Sequence, residues 1–288
     1  MSPPRICIVV LNWNGLADTQ ECLHSLLKVT HPSREVILVD NASAGDDVRQ
    51  LTDEFGDSIR TIRNEKNYGF AGGNNIGIRY SLEHSPPEYF LLLNNDTVVA
   101  PDFLEEMVKV AESDPKAGIL GPKIYYYDFD GRKDVIWTAG GKIRWWHPWV
   151  YDGIGHNDDD LPRYQRLVTV DWISGAAMMI KRQVLEQISL LNTDYFFGSE
   201  DVEYCLKARA HGFKCLYVPT ARVWHKVGRS RAKRGPSFAD LPDYYRLLRR
   251  NLPKRICAYH LLISPVLVSH RTLFWLRDTL AGARRPGF

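Results

Sequence analysis

The chain has 288 residues, 44% of them hydrophobic, enough to bury a substantial core in one large domain or two small ones. Its 37 basic and 34 acidic residues leave a net charge of +3, which excludes a whole-protein field strong enough to argue for nucleic acid as a partner. Five cysteines without a CxxC pair, and an N-terminus lacking an apolar stretch of signal-peptide length, predict a reduced, cytoplasmic protein.

Arg5–Leu11 (RICIVVL) is continuously apolar and β-branched, the pattern of a strand buried on both faces of a parallel sheet. A helix from Leu16 to about Lys28 follows. The alternation continues with strand Glu35–Val39, helix Asp47–Glu54, strand Ser58–Arg63, helix Phe70–Leu82, strand Tyr89–Leu93 and helix Pro101–Glu112. Strands alternating with helices at this spacing predict an α/β layer architecture. After Gly118 the rhythm breaks, and the aromatic-rich stretch Lys123–Trp149 reads as antiparallel strands and loops. Val168–Val223 holds a strand, a helix over Asp201–His211 and a strand over Lys214–Val218. The basic, glycine-bearing Lys226–Pro236 reads as a mobile loop, with helical patterns resuming near Asp240.

In such sheets ligands gather where the strands end, because loop amides and helix N-termini converge there. Four polar segments fall at those ends: Asn12-Trp13-Asn14-Gly15, Asp40-Asn41-Ala42-Ser43, Asn64–Asn75 and Asn94-Asn95-Asp96-Thr97. Each alone reads as a turn or cap; four on one rim point to a polar pocket. The glycine-rich Asn67–Asn75 lacks the Gly-Lys-Ser/Thr ending of a phosphate loop, so its glycines read as permitting close approach to a ligand. Asp96 ends a strongly apolar strand, where it suits either a hard divalent cation shared with substrate phosphates or a cap for the next helix. Glu200-Asp201 reads as an acidic helix start favoured by the macrodipole, and Trp172 and His225 taken singly read as core and structural residues.

Taken together these segments resemble the family-2 glycosyltransferases of GT-A fold, in their rhamnosyltransferase-like branch. The resemblance rests on Val9–Gly15 (VVLNWNG), Val39–Ser43 (VDNAS), Asn67–Asn75 (NYGFAGGNN), Asn94-Asn95-Asp96, Ser174–Met178 (SGAAM), Glu200-Asp201 and Val223–Lys226 (VWHK), in the family's order over roughly Ile6–Ser230. It implies a GT-A Rossmann-like mixed sheet flanked by helices. The catalytic domain would span residues 1–230, with a donor-binding half to about 120 and an acceptor-binding half beyond it; residues 231–288 would form a helical extension. The resemblance further implies that Leu11, Asn12, Asn14, Asp40, Asn41, Asn67, Gly73, Asn74 and Asn95 line the donor-nucleotide site. Asp96 and His225 would hold Mg²⁺ or Mn²⁺. Asp201 would be the catalytic base, and Trp172, Gly175 and Glu200 would meet the acceptor, with Trp172 stacking on a sugar. Asn94 stands where many members carry the first Asp of their metal motif, which implies modest metal affinity.

The activity implied is an inverting hexosyl transfer, with rhamnose from dTDP-rhamnose as the leading donor and a saccharide or lipid-linked saccharide of a cell-surface polysaccharide as acceptor. Two alternatives stand beside it. A sugar-nucleotide pyrophosphorylase would need a basic glycine-rich loop where Asn12-Trp13-Asn14-Gly15 stands, and a non-catalytic carbohydrate-binding relative would not need both Asp96 and Asp201. Ile256–Leu276 is apolar but interrupted by His260, Pro265, His270 and Arg271, which disfavours a membrane span. It is expected to pack on the domain or on a partner subunit, or to lie on anionic lipid at the inner face of the plasma membrane.

Overall fold

A computed structural model describes residues 2–147, 150–227 and 241–263. Most of Lys226–Pro236 and the tail beyond residue 263, including the second half of Ile256–Leu276, lie outside the described residues. The first half alternates as the periodicity predicts: β1 (Ile6–Asn12), α1 (Leu16–Leu27), β2 (Arg34–Asp40), α2 (Asp47–Phe55), β3 (Arg60–Arg63), α3 (Gly69–His84), β4 (Tyr89–Asn94), the short β5 (Thr97–Val99) and α4 (Phe103–Ser113). The second half comprises β6 (Ala117–Tyr126), β7 (Val135–Thr138), β8 (Gly141–Ile143), β9 (Tyr151–Gly153), β10 (Asp158–Asp159), β11 (Val168–Val170), β12 (Ala177–Lys181), α5 (Arg182–Ile188), α6 (Glu200–Ala210) and β13 (Lys214–His225). Helix α7 (Leu241–Asn251) and a further helical segment, residues 254–263, follow.

The main sheet runs β10-β7-β6-β12-β4-β1-β2-β3, with β13 along the other edge of β6 and joined to β5 and β11. Its β4-β1-β2-β3 portion is parallel, whereas β12 enters antiparallel between β4 and β6. Successive residues of β1 feed opposite faces. Cys7 and Val9 join one apolar layer with residues of α3 and α6, and Ile6, Ile8 and Val10 join the other with residues of α1 and α4. Burial on both faces is why the strand reads as an uninterrupted apolar run.

Helix α3 lies unusually close to the sheet. A Cβ on Gly73 would sit 2.4 Å from Leu11 Cδ1, and one on Gly77 2.7 Å from Val9 Cγ1. Each glycine costs a helix interior about 1 kcal/mol relative to alanine, a cost offset here by backbone-level packing on β1. The close approach expected of this glycine-rich segment is therefore made, at least in part, to the sheet itself.

Two differences from the sequence reading have physical causes. The strand expected to end at Val218 resumes after a register shift between Val218 and Arg222 and continues to His225, where it meets β5 and the end of β6. Helix α6 starts at Glu200, one residue before the expected Asp201, because the chain turns into it through Ser199 at φ +73°; Glu200 and Asp201 both lie in its acidic first turn, as the helix-start reading expects.

Candidate active site

The rim is organised by side chains bonding to one another. Asn12 is fully buried at the end of β1; its Nδ2 donates to Asp40 Oδ1 at 2.8 Å and to Ser43 Oγ at 3.1 Å. Its Oδ1 accepts from Gly15 N–H and the Thr19 hydroxyl, at 3.2 and 2.9 Å, and lies 3.3 Å from Asn95 Nδ2. Asp40, also fully buried, accepts from Ser43 N–H at 3.0 Å and the Ser43 hydroxyl at 2.5 Å. Asn14 donates its N–H to Ser43 Oγ and accepts Ala44 N–H. Asn14 and Ala42 both hold positive φ, 51° and 63°, a sparsely populated conformation that clusters at functional sites.

Asn41 closes the next stretch. Its Nδ2 donates to Asn67 Oδ1 and Gly69 O, and its Oδ1 accepts from Asn64 Nδ2 and Tyr68 N–H. Asn74 is buried with its Nδ2 on Phe70 O and no partner for Oδ1. The polar groups of Asn12, Asp40 and Asn41 thus shape the rim by bonding within the protein, whereas the resemblance implies direct donor contact. Beside them a cavity of about 480 Å³ opens between Ala42, Ser43, Arg63, Asn64 and Glu65. Another, of about 560 Å³, lies between α3, α5 and the stretch around Leu191, and contains none of the rim carboxylates.

Asp96 follows β4, and His225 ends β13, where antiparallel pairing of His225 with Thr97 brings the two together. His225 Nε2 is 3.0 Å from Asp96 Oδ1, and both residues are buried. Burial acts to raise the Asp96 pKa, but the attraction and hydrogen bond of His225 outweigh it and hold the carboxyl below its ordinary value. The other imidazole nitrogen of His225 has no partner, and Trp137 packs edge-on against the ring with centroids 4.6 Å apart. Lys226, next in the chain, is anchored on α1 by Asp18 and Glu21 at 2.7 and 2.6 Å. Among the described residues no three His, Cys, Asp or Glu side chains cluster as a ready metal cage. The Asp96 carboxylate suits Mg²⁺ or Mn²⁺ of the kind that keeps positions for water and substrate phosphates, and the His225 imidazole suits the softer Mn²⁺ better than Mg²⁺.

One short loop links Asn94, two residues before Asp96, to Asp201. Asn94 N–H donates to Ala176 O at 3.0 Å, and Gly175 N–H donates to Asp201 Oδ2 at 2.9 Å. Asp201 Oδ1 accepts Val202 N–H at 2.8 Å. Asp201 remains partly exposed while its neighbour Glu200 is buried, with Oε2 unpartnered. Burial and the adjacent Asp201 charge push the Glu200 carboxyl up to about 8, and burial also raises Asp201. Trp172 is not the exposed stacking ring that the resemblance implies. It belongs to the core, with a ring so tightly covered that a Cβ on Gly141 would lie 1.9 Å from its Cε2, and Tyr151 meets it edge-on. Its ring is not open for sugar stacking.

Ser43, Thr19 and Asn64 complete the rim; Ser43 and Asn64 fall within the polar strand-end segments without being singled out as site residues, and Thr19, on α1, falls outside them. Ser43 sits within the Val39–Ser43 motif, which is the signal that could have found it.

Residues 3–239 match the family described as "Glycosyltransferase like family 2". The chain belongs to that family. It is 29% identical over 204 residues to the low-salt glycan biosynthesis hexosyltransferase Agl10 of Haloferax volcanii, covering 71% of this chain and 61% of the relative. It is 24% identical over 242 residues to the N-acetylglucosaminyl-diphospho-decaprenol L-rhamnosyltransferase of Mycobacterium tuberculosis, covering 77% and 76%. The chain spans only 27% of the length of a Sinorhizobium fredii relative that it matches at 27% identity. The mannosyltransferase PcManGT of Pyrobaculum calidifontis, solved with GDP-Man and Mn²⁺, superposes with a TM-score of 0.61 at 19% identity over 97% of this chain and 76% of that one. GalNAc-T7, solved with UDP, GalNAc and Mn²⁺, gives 0.63 at 19% identity over 77% and 44%. The fold is that of the GT-A glycosyltransferases.

Proposed function

We propose that this family-2 member is an inverting glycosyltransferase that moves a hexosyl group from a nucleotide diphosphate donor to an acceptor hydroxyl. The observation that carries the reading is the shared rim: Asn94, two residues before the buried Asp96–His225 pair, and the partly exposed Asp201 both bond to one loop, at Ala176 O and Gly175 N–H. A divalent ion held by Asp96 and His225 would neutralise charge on the leaving diphosphate.

Asp201 accepts the proton of the acceptor hydroxyl as its oxygen bonds to the anomeric carbon. The bond from that carbon to the diphosphate oxygen breaks, and the nucleoside diphosphate leaves with the electron pair. Two backbone N–H groups keep the Asp201 carboxylate oriented toward its task, while burial raises its basicity. With a single base on the acceptor side, one displacement inverts the anomeric centre. The donor nucleotide lies along the strand ends shaped by Leu11, Asn12, Asn14, Asp40, Asn41, Asn67, Gly73, Asn74 and Asn95, with its base toward the Ala42–Glu65 cavity. Gly175 faces the acceptor beside Asp201, whereas Glu200, which the resemblance also places there, is too deeply buried to meet it.

The rhamnosyltransferase relative supports rhamnose as the sugar and a lipid-linked saccharide as acceptor, and similarity to a dTDP-rhamnosyl transferase of Shigella flexneri supports dTDP-rhamnose as donor. Contact with the cytoplasmic face of a membrane suits such an acceptor. No helix among the described residues is long and apolar enough to cross a bilayer. Trp146, Leu261 and Leu262 are 57%, 64% and 80% exposed, and Trp146 meets Tyr259 edge-on, so the C-terminal segment presents apolar groups that could enter an interface. The same groups could serve a homodimer.

The test is a thermal-shift screen of dTDP-rhamnose, UDP-sugars and GDP-mannose with and without Mn²⁺, because a ligand that binds the native state raises its apparent stability. A manganese-dependent rise with at least one nucleotide sugar is expected. No rise with any of them would overturn the reading.

A further inference from the structure

We propose that Asp243, on helix α7 outside the sheet, is a positioning residue for glycosyl transfer: its carboxylate clamps the Phe196–Phe197 turn between the base helix and the donor-side helix α3. The inference rests on the function proposed above. Asp243 Oδ2 accepts two successive backbone N–H groups, Phe196 at 3.0 Å and Phe197 at 3.2 Å. Its other oxygen pairs with Arg246, and the residue is 6% exposed. Successive amides converging on one anionic oxygen make a compact anion-binding turn, and hydrogen bonds to a charged acceptor are roughly twice as strong as neutral ones.

What the turn touches gives the clamp its consequence. Phe196 O accepts Phe70 N–H at 2.9 Å, at the start of α3, so one peptide unit links α7 to the donor side. Two residues further on the backbone turns left-handed twice, at Gly198 (φ +96°) and Ser199 (φ +73°), and leads directly into Glu200 and Asp201. A non-glycine residue held at positive φ is costly and persists only where its surroundings over-determine it. Several ties supply that determination: the Asp243 clamp, the Tyr151–Ser199 hydroxyl contact at 3.0 Å, and Arg250, which reaches Asp194 and Glu203 from the same helix. Leu247 and Leu248 of α7 are buried, so the helix that carries Asp243 is itself fixed in place.

The experiment compares Asp243→Ala and Asp243→Asn with the parent protein. Transfer is followed as dTDP release from dTDP-rhamnose with an octyl N-acetylglucosaminide acceptor, and dTDP binding with Mn²⁺ is measured by calorimetry. Asp243→Ala should lose about 10²-fold in kcat, the scale expected when a reacting group is misplaced by about 1 Å, with dTDP affinity little changed. Asp243→Asn keeps an oxygen that can accept both N–H groups and should recover most of the loss. Amide exchange at Phe196 and Phe197 should quicken in the alanine variant and return in the asparagine variant. Wild-type kcat in Asp243→Ala would overturn the proposal, as would an asparagine variant equally impaired despite an unchanged melting temperature. The exchange pattern would uphold the clamp even if the parent turned over no nucleotide sugar, the separate outcome that would sink glycosyl transfer itself.

Discussion

His225 Nε2 stands 3.0 Å from Asp96 Oδ1 although the two are 129 positions apart, because Asp96 occupies the turn before β5, whose Thr97 pairs antiparallel with His225 at the end of β13. If this pair holds the divalent ion, Asp96→Asn should weaken manganese-dependent dTDP binding by at least roughly tenfold. Asparagine is chosen because its oxygen still offers the imidazole a partner, whereas removing one member of a buried pair outright destabilises the fold. Calorimetry with Mn²⁺ and again with EDTA checks it, and equal affinity for parent and variant in Mn²⁺ would move the metal elsewhere.

Glu200 makes a prediction about stability that needs no substrate. Its carboxyl is pushed up to about 8 by burial and by Asp201, against an ordinary value of 4.5. Between those values the folded state holds a proton that the unfolded state has released, so this residue's contribution to stability falls as pH rises from about 5 to 8. Glu200→Gln has no proton to lose there. Its stability relative to the parent should therefore increase over that window, as read by urea unfolding at pH 5 and pH 8. A constant difference between the two proteins would mean that Glu200 is not buried in this way.

How much of this was legible in the sequence follows from the range of each signal. The strands and helices of the first half show in local periodicity, because β1 is apolar on both faces and α1 on one. Strand β6 hides because Gly118, Gly121 and Pro122 look like turn residues. The two glycines in fact admit Phe213 and Ile173, whose atoms would lie 2.6 and 2.4 Å from an added Cβ. Asp96, His225 and Asp201 stand out through motif order, not through any one residue's surroundings. Trp172 carries no mark that it lies under Gly141. The Asp243 clamp joins residues 46 and 47 positions apart, and neither partner advertises it.

The C-terminal segment can be tested for what it contacts. Removal of the chain from Lys254 onward would strip away the buried Ile256 and the His260 to Trp145 O hydrogen bond of 2.8 Å, so some loss of stability is expected in plain buffer. Leu261→Asp with Leu262→Asp should leave the melting temperature nearly unchanged, because both side chains are already exposed. If this face meets a bilayer, the double variant should no longer co-sediment with phosphatidylglycerol vesicles that retain the parent. Parent protein that stays in the supernatant would refute membrane contact, and light scattering would then show whether the face makes a dimer.

The sharpest test concerns Asp201. Its Oδ2 receives Gly175 N–H at 2.9 Å and its Oδ1 receives Val202 N–H at 2.8 Å, so the carboxylate is held beside the loop that leads to Asn94 and Asp96. General-base assistance contributes ~10²–10⁴-fold, and Asp201→Asn should lower kcat by about that range. The substitution keeps one oxygen, enough for the Gly175 bond. The Val202 N–H would then face an amide nitrogen, so a melting curve must accompany the kinetics. Affinity for dTDP with Mn²⁺ should hardly change, because the lost interaction forms only as the proton moves. Glu200→Gln is the control. Glu200 is buried and, with its raised pKa, largely protonated at neutral pH, so it is poorly suited to accept a proton and its amide should cost less turnover. Transfer rates at saturating dTDP-rhamnose and octyl N-acetylglucosaminide decide between the neighbours. Near wild-type turnover in Asp201→Asn, or a larger loss in Glu200→Gln, would shift the base to the buried carboxyl and require the loop at Gly175 to open before the acceptor could reach it.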